Sequence, residues 1–227
     1  MRAFLFDLDG TLLDTLADIG NACNAMLAAH GYPTHPVEDY RRMIGNGFGM
    51  LVRRALPDEA LTALRAALPD EAAVEALVRE TRAIYADHLN DATRPYEGMP
   101  QALRELARRG MRLAVFSNKP DEYTRILVEA HFPGVFSVIR GARPDTPLKP
   151  DPAGALSVIA ATDTTAGQCF YVGDSDVDML TARNAGMVGV GVGWGFRGLD
   201  EVRAAGAERL VRHPLELPGL LADENPS

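Results

Sequence analysis

Three short, predominantly apolar runs, each with a polar residue directly after it or one residue later, constrain the fold of this chain more than any other feature. The runs cover residues 3–6, 111–116 and 169–172. A short apolar run of this kind predicts a strand that is buried on both faces. Apolar residues at helical three-four spacing fill the gaps, and strands that alternate with helices predict a parallel α/β sheet.

Further strands are predicted at residues 135–139, at 188–192 and near Leu210, which gives about six. The stretch from residue 14 to residue 94 differs, because it has helical periodicity and no strand pattern. Its prolines divide it into four predicted helices; they are Pro33, Pro36, Pro57 and Pro69. The predicted organisation is an α/β core domain, residues 1–13 and 95–227, into which a helical domain, residues 14–94, is inserted.

Composition and charge exclude several classes of protein. The chain has 227 residues, of which 47% are hydrophobic. This content is sufficient for a hydrophobic core and is not typical of a disordered chain. Its net charge of -8 argues against nucleic acid as a general partner. No apolar run reaches the length of a membrane span, and we expect a cytoplasmic protein without a membrane partner. Cys23 and Cys169 have no metal-ligand spacing, which predicts free buried thiols.

Polar residues that follow three of the predicted strands should meet in one crevice. They are Asp7, Ser117 and Asp174, and ligands of open α/β sheets bind beyond the carboxyl ends of the strands. Asp7 and Asp9 bring two carboxyl groups into this small space. Burying them together is unfavourable, so we expect a bound cation or a catalytic role there. The alternative for Asp9 and Gly10 is a simple hairpin turn, but the following residues predict a helix and not a return strand.

A second acidic cluster occurs between Gly173 and Asp178. Asp174 and Asp178 are four residues apart and can share one face of a predicted helix, an arrangement that suits a hard cation such as Mg²⁺. Capping of that helix is the alternative role for these acids, but it accounts for one carboxylate and not for three.

Two further segments carry groups that could hold a phosphate. Lys149 precedes Pro150 and a helix that Asp151 could cap, and a lysine beside carboxylates could steer a phosphate and stabilise a phosphorylated aspartate. A solvated surface lysine is the alternative. Ser117 and Asn118 offer a hydroxyl and an amide for a phosphate oxygen, or they begin a helix.

The joint order of these motifs resembles the haloacid dehalogenase superfamily of aspartate-dependent phosphatases. The motifs are Asp7-x-Asp9-Gly10-Thr11, then Ser117, then Lys149-Pro150, then Gly173-Asp174-Ser175-x-x-Asp178. The resemblance implies a Rossmann-like, doubly wound parallel sheet with an inserted helical cap of the C1 type.

The resemblance also implies a role for each residue. Asp7 would be the nucleophile and Asp9 the general acid and base, while Ser117 and Lys149 hold the transferring group. Mg²⁺ would be coordinated by Asp7, the backbone carbonyl of Asp9 and Asp174, with support from Asp178. Gly10, Thr11 and Asn118 are the predicted phosphate-binding residues.

Within that superfamily the chain looks like the phosphoglycolate phosphatases, on segments that include Ile44-Gly45-Asn46-Gly47 and Pro95-Tyr96-Glu97-Gly98. We therefore expect a small phosphorylated metabolite as partner, with 2-phosphoglycolate as substrate, and a monomer or a homodimer. The predicted substrate-binding residues lie in the helical insertion; they are Arg41, Gly45, Asn46 and Gly47. A hinge or a helix terminus is an equal alternative for the glycines.

The sequence also bears on other functions. Another sugar phosphate could be the substrate. A phosphomutase resembling β-phosphoglucomutase usually carries a histidine shortly after the first motif, and residues 16–20 contain none. A dehalogenase has no need of Asp9 or of the acids at 174 and 178. A phospho-accepting signalling receiver shares the acidic pocket, but its acceptor aspartate lies on a later strand and it has no large cap.

Overall fold

The computed structural model of the protein describes residues 1–67 and 72–224, so the predicted helix break at Pro69 lies outside the described residues. The chain forms two compact units. The core unit comprises Met1–Asp14 and Arg94–Ser227, and the helical unit comprises Thr15–Thr93.

The strands and helices alternate along the core unit as the apolar runs predict. The strands are β1 Ala3–Phe6, β2 Leu13–Asp14, β3 Arg94–Pro95, β4 Arg112–Pro120, β5 Val138–Ala142, β6 Cys169–Gly173, β7 Val188–Val192 and β8 Arg209–Val211. The α-helices of both units are α1 Leu16–Ala29, α2 Gly47–Ala55, α3 Asp58–Ala67, α4 Ala72–Asp87, α5 Met99–Arg108, α6 Asp121–His131, α7 Ala153–Ala160, α8 Asp176–Ala185 and α9 Leu199–Ala204. The 3₁₀ helices cover Val37–Arg42, Ala166–Gln168 and Pro214–Glu224.

A six-stranded parallel sheet organises the core unit, in the order β5-β4-β1-β6-β7-β8. Strand β1 lies between β4 and β6, with Phe6 in register with Val115 on one side and Val172 on the other. All four side chains of β1 are completely buried, as expected for a central strand covered on both faces. The predicted α/β class is confirmed.

One face of the sheet shows how closely the helices approach. Phe116 of β4 packs in a buried cluster with side chains of β1, α7 and β6. At Gly154 of α7, an added Cβ would lie 2.3 Å from the Phe116 ring, so only glycine lets the helix come this near. This contact helps to fix the height of α7 over the sheet.

Two strands differ from their predicted bounds. Strand β4 continues through Ser117, Asn118 and Lys119 to Pro120, with a register shift against β5 after Phe116. The polar residues end the apolar run but not the strand, because partners inside the protein satisfy their side chains. Strand β5 begins three residues later than predicted.

The segment after Asp9 also differs from the prediction of a helix without a return strand. Gly10 has a φ of +82°, and its N–H donates to the carbonyl of Leu13, so the chain makes a tight turn. Leu13 and Asp14 then pair antiparallel with Pro95 and Arg94 before the helical unit begins. The apolar run at 12–13 is too short to reveal this two-residue ribbon.

The helical unit contains α1 to α4 and is built around long buried side chains. Helix α4 packs against both α1 and α2. Tyr40 is completely buried, and its hydroxyl donates to Asn24 Oδ1 at 2.7 Å. The Asn24 amide also bonds the backbone of His35 through both its oxygen and its nitrogen, which ties the loop after α1 back to that helix.

No helix in the described part of the chain is both long enough and apolar enough to cross a membrane.

Asp18 of α1 should be a main stabilising residue of the helical unit. Its buried carboxylate accepts hydrogen bonds from the backbone N–H groups of Ala92 and Thr93 and from the Thr93 hydroxyl. We expect Asp18→Ala to cost about 3 kcal/mol, because it leaves buried donors without an acceptor. Thermal unfolding should show a melting temperature lower by roughly 5–10 °C.

Asp87→Ala, which removes an exposed carboxylate from the same unit, is the matched control and should leave the melting temperature nearly unchanged. Equal melting temperatures for the two variants would contradict the stabilising role of Asp18.

Candidate active site

The carboxyl ends of three neighbouring strands bring the predicted site residues together. Asp7 follows β1, Ser117 lies near the end of β4, and Asp174 follows β6. These strands are adjacent in the order β4-β1-β6, and all three side chains are buried. The predicted meeting of these three residues at one edge of the sheet is therefore present.

Lys149 lies between two of the carboxylates. Its ammonium nitrogen is 2.7 Å from Asp178 Oδ1 and 2.9 Å from Asp7 Oδ1. The side chain is 2% exposed, so the solvated surface alternative is wrong. Burial alone would lower the pKa of Lys149, but the charges of Asp178 and Asp7 hold it well above its ordinary value.

Asn118 fixes the backbone from which Lys149 projects. Its Oδ1 accepts the N–H of Lys149 at 2.8 Å, and its Nδ2 donates to the carbonyl of the same residue at 3.3 Å. The predicted phosphate-binding amide is thus engaged with Lys149 on both of its polar atoms. Asp151 accepts the N–H of Ala153 at the start of α7, so the predicted capping group is present one residue before the N-cap position, which Pro152 occupies.

Asp174 is held from two sides. Its Oδ2 accepts the backbone N–H of Phe196 at 2.7 Å, and its Oδ1 accepts the hydroxyl of Thr11 at 3.3 Å. Gly10 and Gly195 press against the carboxylate, because a Cβ on either would lie within 2.4 Å of an Asp174 atom. Thr11 is therefore a partner of Asp174, while its predicted phosphate contact stays a prediction.

Contrary to the prediction from their spacing, Asp174 and Asp178 do not lie on one face of a helix. Helix α8 begins at Asp176 with Ser175 as its N-cap, so Asp174 precedes the helix. Asp178 occupies the third helical position, where its Oδ2 accepts the N–H and the hydroxyl of Ser175 in a capping box. The capping alternative is correct for Asp178, whose other oxygen nevertheless belongs to the site through Lys149.

Asp9 has a partner that the sequence argument missed. The ammonium of Lys119 lies 2.9 Å from Asp9 Oδ1 and 3.2 Å from Oδ2. Lys119 is almost completely buried at the end of β4, next to Ser117, whose hydroxyl oxygen accepts the Lys119 N–H at 3.3 Å. In the sequence, the one indication of this partner is that Lys119 follows Ser117 by two residues.

Three buried carboxylates form a group that fits a divalent cation. One oxygen each of Asp7, Asp174 and Asp178 lies within 4.8 Å of the others. Asp7 Oδ1 is buried and has no aligned hydrogen bond among the described residues. A single ammonium, that of Lys149, offsets only one of the three negative charges, and carboxylate oxygens are the ligands that Mg²⁺ prefers. The residues present therefore suit Mg²⁺.

The pKa values of Asp7 and Asp174 are raised because these carboxyl groups are buried close to other carboxyl groups. Burial raises the pKa of Asp7 to about 6, with Asp178 and Asp9 adding to the effect and Lys149 opposing it. Burial and the charges of Asp178 and Asp7 raise the pKa of Asp174 to about 8. Such shifts are the consequence of burying several carboxylates close together.

The predicted substrate-binding residues lie in the helical unit. Arg41 donates to Glu38 at 2.6 Å, and Asn46, at the N-cap of α2, accepts from Arg54 at 2.9 Å. Gly45 and Gly47 have φ values of +118° and +78°, which favour glycine. Helix α2 begins at Gly47, which agrees with the helix-terminus alternative. Their role in substrate binding stays a prediction.

Comparison with known proteins decides the family. The sequence model of the haloacid dehalogenase-like hydrolases matches residues 4–192. The chain belongs to this family. The hydrolase is 34% identical to the phosphoglycolate phosphatase of Caulobacter vibrioides over 94% of this chain and 87% of that protein. It is also 34% identical to the phosphoglycolate phosphatase of Xanthomonas campestris pv. campestris, over 95% of this chain and 94% of that protein.

Solved structures agree with this assignment of the hydrolase. A protein of Lactobacillus delbrueckii subsp. bulgaricus, provisionally named phosphoglycolate phosphatase, superposes with a TM-score of 0.86 at 31% identity, and the match covers 97% of this chain and 98% of that one. The resemblance to the haloacid dehalogenase superfamily is thereby confirmed. The roles of the individual residues remain predictions.

The raised pKa values predict how pH and Mg²⁺ act together on the hydrolase. Between about pH 4 and pH 6 the metal-free folded protein retains protons on both Asp7 and Asp174 that the unfolded chain has lost. From there to about pH 8 it retains the proton on Asp174, so its stability falls as pH rises through the whole range. Mg²⁺ competes with these protons. We therefore expect the increase in melting temperature on adding Mg²⁺ to chelator-treated protein to be larger at about pH 8 than at about pH 5.5.

Asp174→Asn is the informative variant in this experiment and should weaken the stabilisation by Mg²⁺. The interpretation fails if Mg²⁺ raises the melting temperature of the wild type equally at the two pH values.

Proposed function

We propose that this chain hydrolyses a small phosphomonoester in two steps through a phosphorylated Asp7, with 2-phosphoglycolate as the substrate. The observation that carries the proposal is the buried Asp7 carboxylate at the end of the central strand, 2.9 Å from Lys149 and grouped with Asp174 and Asp178. Relatives named phosphoglycolate phosphatase, matched over most of the chain, support the choice of substrate. A cytoplasmic location and a monomeric or homodimeric state stay predictions.

In the first proposed step, a carboxylate oxygen of Asp7 forms a bond to phosphorus while the bond from phosphorus to the substrate alcohol oxygen breaks. Asp9 donates a proton to the departing oxygen, so glycolate leaves with a neutral hydroxyl group. The nucleophile must be ionised, and a pKa of about 6 leaves the Asp7 carboxylate mostly ionised at neutral pH.

In the second proposed step, water attacks phosphorus and the bond to Asp7 breaks. Asp9, now a carboxylate, takes a proton from that water, which returns both residues to their starting forms. Division of the reaction in this way replaces one difficult displacement by two easier ones.

The remaining residues would align and neutralise the phosphoryl group. Lys149 supplies a fixed positive charge beside Asp7, and the hydroxyl of Ser117 lies at the end of the adjacent strand. Asp7, Asp174 and the backbone carbonyl of Asp9 would hold Mg²⁺, with Asp178 in support. When bound, Mg²⁺ supplies positive charge that offsets the negative charge of the phosphoryl oxygens.

Asp7→Asn tests the covalent step. The amide is a poor nucleophile of nearly the same size, so phosphate release from 2-phosphoglycolate should fall by at least about 1000-fold while the fold is kept. The measurement is the steady-state rate of phosphate release, with circular dichroism as the check on folding. Asp87→Asn, an exposed substitution of the same kind, should keep the wild-type rate. Retained activity in Asp7→Asn would exclude Asp7 as the nucleophile.

A substrate panel tests the named substrate separately from the reaction. We expect kcat/KM for 2-phosphoglycolate to exceed the values for sugar phosphates and nucleotides by at least about 100-fold, because this ratio reflects differential binding of the transition state. Similar kcat/KM values for all substrates would support phosphatase activity and would contradict 2-phosphoglycolate as the preferred substrate. Transfer of the phosphoryl group to a sugar, in place of release to water, would favour the phosphomutase.

A further inference from the structure

Lysine is almost absent from this chain, and where it occurs is informative. Of 23 basic residues, 21 are arginine, and the two lysines are Lys119 and Lys149. Both side chains are nearly completely buried, with exposed fractions of 1% and 2%. Each ammonium contacts a carboxylate of the candidate active site, Lys119 at Asp9 and Lys149 at Asp7. The chain thus uses the compact ammonium group only inside this site.

The proposed function gives Lys149 a role and leaves Lys119 without one. The ammonium of Lys119 contacts both oxygens of the Asp9 carboxylate, at 2.9 Å and 3.2 Å. A contact with both oxygens restricts rotation of the carboxylate plane more than a contact with one oxygen does. Asp9 has an exposed side-chain fraction of only 12%, so solvent screens this interaction weakly.

Neighbouring residues also hold the backbone of Lys119. Its carbonyl lies 3.2 Å from the hydroxyl of Thr124 in α6, which it shares as donor with the carbonyl of Pro120 at 3.0 Å. Gly141 of β5 lies so near that a Cβ there would be 2.4 Å from the Lys119 carbonyl oxygen. Neighbours on α6 and β5 therefore hold the point from which the ammonium reaches Asp9.

We propose that Lys119 is the positioning residue for Asp9, and this inference rests on the proposed function, in which Asp9 transfers the proton. One oxygen of the carboxyl group stays on the ammonium, while the other gives its proton to the departing alcohol oxygen and later takes one from water. Lys119 gains and loses no proton in either step. Its contribution is orientation, since proton transfer requires the acid within hydrogen-bond distance of the reacting oxygen.

The scarcity of lysine permits a direct spectroscopic test of the contact. Protein labelled with ¹³C at the lysine Cε should give two lysine signals, one from each site residue. Asp9→Asn should shift the signal of Lys119 and leave that of Lys149 near its wild-type position, while Asp7→Asn should do the reverse. A spectrum in which Asp9→Asn moves neither signal would overturn the proposal, and this result requires no activity from either variant.

Kinetics test whether the contact acts on proton transfer. Lys119→Met should lower kcat/KM about 100-fold for 2-phosphoglycolate, whose alkoxide needs a proton to leave. It should lower kcat/KM less than about tenfold for p-nitrophenyl phosphate, whose phenolate leaves without one. A purely structural role would lower both values equally. Arg104→Met, which removes the same charge from an exposed position, should change neither.

A double-mutant cycle identifies the residue through which Lys119 acts. In an Asp9→Asn background, Lys119→Met should cause no further loss in kcat/KM, because the group that it positions is already absent. Losses that multiply would overturn the proposal. If the wild type does not hydrolyse 2-phosphoglycolate, the substrate assignment fails, and the comparison of any accepted alkyl phosphate with p-nitrophenyl phosphate still tests Lys119.

Discussion

A buried ammonium among three buried carboxylates is the interaction on which the candidate site depends. Without Lys149, the ends of β1 and β6 and the first turn of α8 would bring only negative charges together. The arrangement is stable because the ammonium contacts Asp7 and Asp178. The Phe196 N–H donates to Asp174, and Ser175 donates to the second oxygen of Asp178. Burial and the negative charge that remains raise the pKa values of Asp7 and Asp174, and the same charge makes the group suit a cation.

Much of the surrounding structure serves to hold these charges at fixed distances. Asn118 holds the Lys149 backbone through both edges of its amide. Gly10 and Gly195 leave no space beside Asp174, so its carboxylate has little freedom to move. Phosphoryl transfer depends mainly on alignment and on neutralised charge, and a rigid arrangement of this kind supplies both.

The sequence predicts the sheet and the main site residues because both follow from short-range patterns. Apolar runs mark the buried strands, and the parallel sheet then brings Asp7, Ser117 and Asp174 to one edge. The contacts of Lys119 and of the Phe196 N–H depend on side chains and loops that approach from distant parts of the chain. Periodicity contains no information on such approaches. The spacing of Asp174 and Asp178 is likewise compatible with a shared helix face or with a helix cap. The hydrogen bonds of Ser175, which begin the helix after Asp174, give the cap.

The distribution of lysine also bears on how this protein can be modified after synthesis. Acetylation, ubiquitination and other acylations of lysine require an accessible side-chain amine. Both lysines of this chain are buried against carboxylates, whereas its other basic side chains are those of 21 arginines and five histidines, which are not substrates for lysine acylation. Lysine acylation could therefore reach this chain only by entering the candidate active site, so the modification and the proposed catalysis would exclude each other.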